Sequence, residues 1–342
     1  MFKLTISLFS MVCLFLFFIG SAQAVNSVEV IKLKKCAEVS DADKRLDCFN
    51  KVIEKEYKPV RDIITKNMEQ SYITFGAGFD FGADQTRFNM IYEGQVFKNI
   101  SWDDGRIICT NRHYWLDVPI RIGVRQLTET SMPVRTPSFN PGLRMYWYED
   151  GEAEKNGPEF PLTYYSFGLH HYSNGQEGVS TNVDGTVNKV DGSFNTNYAE
   201  GAVHWAWADG LWLRTAFRQH FFGTFEDFQH DQYPRRHLSV ELQSPTWSEH
   251  GCLKWTCDYQ LKMTETYKHG YKYLVKNDVN PAMNVEAKTT DKFDTTLEVI
   301  VKPKSWDEMS LYLRYDYGYD YYNINFQNRM NRLQIGLIGK IF

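Results

Sequence analysis

Beyond its first 24 residues the chain has no apolar run long enough to cross a bilayer as a helix. It also lacks a basic block or stripe: 38 Lys and Arg against 42 Asp and Glu leave a net charge of only −4. The electrostatic footprint of a nucleic-acid partner is therefore missing. No cysteine stands at position 25 to carry a lipoprotein anchor, and no histidine pair lies at ligand spacing from the cysteines to complete a zinc site.

What is present begins with MFKLTISLFSMVCLFLFFIGSAQA, a lysine, a short apolar core and the small-residue site Ala22-Gln23-Ala24. This reads as a secretory signal peptide over 1–24, with a mature start at Val25. The mean hydropathy is low, −0.46, although 15% of the residues are Phe, Trp or Tyr. An exported chain rich in aromatics and without helical spans fits either a secreted β-protein or a transmembrane β-barrel, whose apolar residues alternate with polar ones.

Export also gives the cysteines an oxidising setting. Cys36 and Cys48 bracket "CAEVSDADKRLDC", and Cys252 and Cys257 bracket "CLKWTC". Two local disulfides are expected, leaving Cys109 over. Residues 25–70 read as a short periplasmic segment with helical character. From about Tyr72 the period becomes two. Leu116, Val118, Ile120, Ile122 and Val124 share one face, as do Leu143, Met145 and Trp147, and Leu238, Val240 and Leu242. Phe293, Leu297, Val299 and Val301 do the same, and so do Leu311, Leu313, Tyr315, Tyr317 and Tyr319. Alternation over roughly ten residues suits a tilted strand crossing a membrane. Asp209-Gly210 marks a tight hairpin, and the longer stretches 176–194 and 223–235 are expected at the opposite, external end.

A secreted sandwich or jelly roll alternates too. The end of the chain, "NRLQIGLIGKIF", favours the barrel, because an alternating strand closing on Phe342 resembles the assembly signal of bacterial outer-membrane barrels. Its phase is imperfect, since Ile338 and Phe342 fall on the face opposite Leu333, Ile335 and Leu337. A bulge would repair this.

Within "YYSFGLHHYSNGQ", Phe167, Leu169, His171 and Ser173 have one parity, and Ser166, Gly168, His170 and Tyr172 the other. Side chains two apart on a strand stand roughly 6.5 Å apart at the backbone. His171 can therefore lean toward Ser173 and take its proton. Phe167 and Leu169 mark the shared face as lipid-facing, while His170 is expected as a hydrogen-bonded residue of the lumen. His-x-Ser by itself is weakly specific.

The motif "HYSNG", followed by a loop and then "SFNTNY", resembles the active-site region of the bacterial outer membrane phospholipase A family, and "YGYDYYNINFQNRMNRLQIGLIGKIF" resembles that family's last hairpin. The likeness lies over 160–222 and 309–342. It implies an all-β antiparallel barrel of about 12 strands over 71–342, a Gram-negative outer-membrane location, and hydrolysis of glycerophospholipid acyl esters through a Ser-His-Asn triad. Carried over, Ser173 is the nucleophile, His171 the general base, Asn195 the residue that holds the imidazole, and the Gly175 amide the oxyanion donor. Asn197 has the same parity as Asn195 and competes for its role. The resemblance further implies calcium and a homodimer, with Gln176 offering a backbone carbonyl and Asp227 a carboxylate to the ion. The loop "QEGVSTNVDGTVNKVDG" departs from the family's short loop, and Glu177, Asp184 and Asp191 are substitutes within it.

Two other functions compete. Lipid A deacylases also carry an "HxSN" strand motif, on smaller barrels and with a later glutamate; here "VDGT" offers Asp184 and no Glu. A non-catalytic barrel, either a porin or a degenerate enzyme, is the rival from a different class.

Overall fold

The structure is a computed structural model that describes residues 36–46, 48, 71–81, 89–106, 112–127, 134–149, 161–176, 178–180, 182–183, 187–188, 192–221, 233–252, 255–275, 286–322 and 328–340. Strands β1 (Tyr72–Asp80), β2 (Asn89–Arg106), β3 (Arg112–Leu127), β4 (Val134–Glu149), β5 (Leu162–Ser173), β6 (Asn195–Ala206) and β7 (Trp212–Phe221) run as successive hairpins. β8 (Arg236–Gln243), β9 (Trp247–Cys252), β10 (Trp255–Val275), β11 (Glu286–Pro303), β12 (Met309–Tyr319) and β13 (Arg329–Lys340) follow. β8 and β9 lie end to end along one edge of β10, through Gln243↔Lys262 and Trp247↔Tyr259. They form one interrupted stave. With β10 paired to β11 and β13 paired to β1, the sheet closes into a twelve-stave antiparallel barrel, in which the first and last strands cover each other's edges.

The alternation read from the sequence sets which side faces out. Leu116, Ile122, Val124, Leu143, Met145, Leu238, Phe293, Leu297 and Leu313 are all exposed. Their neighbours of opposite parity turn inward. At Asp209-Gly210 the expected tight turn forms: Gly210 has φ +100°, and the Asp209 carboxylate accepts the Leu211 amide at 3.0 Å. Only a residue without Cβ adopts that φ cheaply. The last strand needs no bulge, because β13 keeps one register with β1 through Lys340 and with β12 through Gly339. Phe342 lies outside the described residues.

The inward side chains fill the lumen in layers. At the end where β4 meets β5 and β6 meets β7, an aromatic layer is built from Trp115, Tyr146, Tyr148, Leu162, Tyr164 and Trp212. Beyond it come ion pairs between strands. Arg144 meets Asp117 at 3.1 Å, Arg218 meets Glu200 at 2.8 Å, and Arg214 bridges Glu200 and Glu241. Arg125 lies 2.9 Å from Glu93 and 2.6 Å from Asp320, which follows β12 across the β13–β1 seam. At the outer end Val187, Phe194 and Tyr233 cluster with Tyr172 and Tyr319. Tyr322 reaches across the mouth to donate to the carbonyl of Thr136 at 2.9 Å.

The expected Cys36–Cys48 disulfide is present, and Asp41 caps the short helical stretch behind it by accepting the Asp43 and Lys44 amides, each at 3.0 Å. The remainder of 25–70 falls outside the described residues, as do Cys109 and the side chain of Cys252. The second expected pairing is thus outside them too, although Cys257 itself is buried.

Candidate active site

β5 and β6 present their odd-numbered residues outward and their even-numbered residues to the lumen, as their alternating burial records. His171, Ser173, Asn195 and Asn197 therefore all emerge on the outer surface, above exposed Phe167 and Leu169. The cross-strand register pairs Ser173 with Asn195 and His171 with Asn197. On the other flank Phe139 pairs with Ser173.

That register sets Asn197, and not Asn195, beside His171. The His171 ring nitrogen Nδ1 lies 2.9 Å from the Asn197 side-chain oxygen. Asn195, the residue expected to hold the imidazole, stands instead opposite Ser173. An amide oxygen only accepts, so this bond places the proton on Nδ1 and leaves Nε2 with its lone pair. Such a tautomer can act as a base, with Asn197 as the group that orients it. The Ser173 hydroxyl makes no hydrogen bond to His171 among the described residues. A bond of this kind commonly closes only when substrate arrives.

Beyond Ser173 the strand leaves the barrel wall through Asn174 and Gly175. Asn174 is 1% exposed. Its side-chain oxygen accepts the Phe194 amide at 2.9 Å and the Gln176 amide at 3.2 Å, its side-chain nitrogen donates to the Gly192 carbonyl at 2.8 Å, and its backbone amide donates to the Phe194 carbonyl at 3.0 Å. These four bonds cinch the neck of the long loop between β5 and β6. Gly175 sits inside the neck at φ +65°, where a Cβ would come within 3.2 Å of the Phe139 ring. Its amide takes no part in the Asn174 clamp and has no acceptor among the described residues.

Sequence reasoning missed Asn174, although an Asn before a Gly at a strand end is a signal for a side-chain-to-backbone turn. It also missed a serine–histidine hydrogen bond elsewhere on the same strand. Inside the lumen the Ser166 hydroxyl lies 2.9 Å from His204 Nε2, with the His204 ring stacked on Tyr164 at 4.3 Å. Both residues are buried, so no ester in a bilayer reaches them. His170 faces the lumen as expected, but its ring stacks on Tyr198 at 4.8 Å and its Nε2 has no hydrogen-bond partner among the described residues. Gly142 and Gly168 leave room for the ring to lie flat, and a Cβ on either would collide with it.

Of the residues tied to calcium, Gln176 is half-buried next to Gly175. Asp227, Glu177, Asp184 and Asp191 lie outside the described residues. Among the described residues no three His, Cys, Asp or Glu side chains gather as a metal centre.

No family model matches the chain, and no curated protein does. Solved structures show distant likeness in shape. An outer membrane phospholipase dimer from Salmonella typhi with bound calcium has a TM-score of 0.48 at 11% identity, over 80% of this chain and 90% of that one. Outer membrane phospholipase A from Escherichia coli gives 0.47 at 12%, over 80% and 98%. The KdgM porin gives 0.34 at 11%, over 79% and 99%.

Proposed function

We propose that this barrel sits in the outer membrane of a Gram-negative bacterium and hydrolyses acyl esters of glycerophospholipids in the outer leaflet. The observation that carries the reading is the Asn197–His171 hydrogen bond beside Ser173 on a face otherwise made for lipid. Polar side chains at a bilayer face are costly away from the headgroup level. An ester linkage lies just below the headgroups, where a nucleophile set above Phe167 and Leu169 meets it.

In the proposed reaction His171 Nε2 removes the Ser173 proton as Oγ attacks the ester carbonyl. The Gly175 amide donates to the oxyanion that forms. The imidazolium, held by Asn197, gives the proton to the departing alcohol, and a lysophospholipid leaves. Water, deprotonated by His171, then attacks the acyl-serine and releases the fatty acid. Asn197 supplies orientation without the negative charge that an aspartate would bring. Calcium, if bound, would be held by the Gln176 carbonyl and Asp227 and would polarise the ester. A homodimer completing the acyl-chain cleft is likewise proposed.

The filled lumen supports this reading over a porin, because ion pairs and aromatic layers occupy the space that a conducting channel needs. The test is fatty acid release from mixed micelles by refolded protein, comparing wild type with Ser173→Ala, with and without calcium. Release from glycerophospholipid that Ser173→Ala abolishes supports the proposal. Release from lipid A alone favours the deacylase reading, and ion conductance without release favours a non-catalytic barrel.

A further inference from the structure

Three staves from Ser173, the outer rim carries an arginine that the esterase reading does not use. Arg236 opens β8 on its outward face, directly above exposed Leu238. Its register partner on β7 is Gln219, between exposed Phe217 and Phe221 on the same face. Its partner on β10 is His269, which is exposed and lies against the Tyr267 ring at 6.3 Å. Arg236 is therefore the uppermost residue of an apolar, lipid-facing column, flanked by aromatics and an imidazole.

The guanidinium is also aimed. Gln219 donates its side-chain amide to the His220 carbonyl at 2.8 Å, which turns its oxygen outward, and that oxygen accepts Arg236 Nε at 3.3 Å. The bond fixes one edge of the planar group. Among the described residues, the two terminal nitrogens of Arg236 meet no carboxylate. An arginine at headgroup height, with its stem over apolar side chains and its fork open, matches the bidentate geometry of a phosphate.

We propose that Arg236, held by Gln219 and faced by His269, binds the phosphate of a lipid in the outer leaflet. The site anchors a lipid beside the barrel and does not select the substrate, because it stands three staves from the nucleophile. It rests on the placement of the barrel in the membrane and not on the esterase reading.

The test uses full-chain protein in a phosphate-free detergent and native mass spectrometry. It is titrated with bisphosphorylated lipid A, with a diether phosphatidylglycerol, with the same diether lacking phosphate, and with inorganic phosphate. Both phosphate lipids should bind better than the phosphate-free diether, and the tighter of the two identifies the lipid held. Arg236→Gln should weaken them about tenfold, with Arg236→Lys recovering only part. Because Arg236 is exposed, the variants should keep the barrel, checked by their unheated gel mobility. Equal binding of the phosphate-free diether, or unchanged binding in Arg236→Gln, would overturn the proposal. Inorganic phosphate binding with the same dependence on Arg236 would assign the site to a free anion and also overturn it.

Discussion

Asn195 and Asn197 differ by two positions and share a face, so parity alone never separates them. The register does, and it places Asn197 against His171. If Asn197 orients the imidazole, Asn197→Ala should lower kcat by about 10–10² fold, well within the effect of removing a base-orienting group. Asn195→Ala should cost much less. Initial rates of fatty acid release at saturating lipid check this, and equal losses would undo the assignment. The lumenal Ser166–His204 pair makes the opposite prediction. Ser166→Ala should leave turnover intact while costing about 1 kcal/mol of stability from one lost hydrogen bond, read by turnover and denaturant unfolding. A Ser–His contact is therefore not itself a sign of catalysis. The side of the wall decides.

At the scale of elements, alternation was legible wherever a strand carries apolar residues on one face and charge on the other. Leu116 to Val124 and Leu238 to Leu242 read correctly from their period, and Asp209-Gly210 turned where its residues said it would. Register was not legible, because in a hairpin it depends on how the connection closes. For β5 and β6 that connection is the long loop cinched by Asn174, a residue that the motif placed beside Ser173 without revealing its role. Asn174→Ala removes three side-chain hydrogen bonds at the neck. The variant should be cut by protease within 177–191 at least several-fold faster than wild type, with the barrel itself surviving. Cutting at the wild-type rate would show that the clamp is not what holds the loop. The bulge invoked for β13 fails for a related reason: two neighbours in a single register leave no room for an extra residue.

For the whole molecule, the sequence announced a closed barrel but not what fills it. The lumenal partners are far apart in the chain: Arg125 and Asp320 are separated by 195 residues, and only closure of the sheet brings them together. The alternating pattern marks such residues as inward and says nothing of whom they meet. The network ties staves to one another across the lumen. Removing one partner of a buried pair leaves a charge uncompensated, so Glu200→Ala should destabilise the barrel by about 3–5 kcal/mol. Its heat-induced shift in gel mobility should then occur at lower temperature. Arg214 and Arg218 both lose their shared acid in this variant, so an unchanged transition would contradict the role given to the network.

The outward position of the candidate nucleophile joins these scales, and acyl-enzyme trapping tests it most directly. Refolded protein would be mixed with glycerophospholipid, quenched in acid within the first turnovers, digested and read by mass spectrometry. The peptide bearing Ser173 should gain the mass of one acyl chain in wild type, Asn197→Ala should accumulate it more slowly, and Ser173→Ala should never show it. Fatty acid release with no acyl group on Ser173, or with an acyl group on another residue, would contradict it.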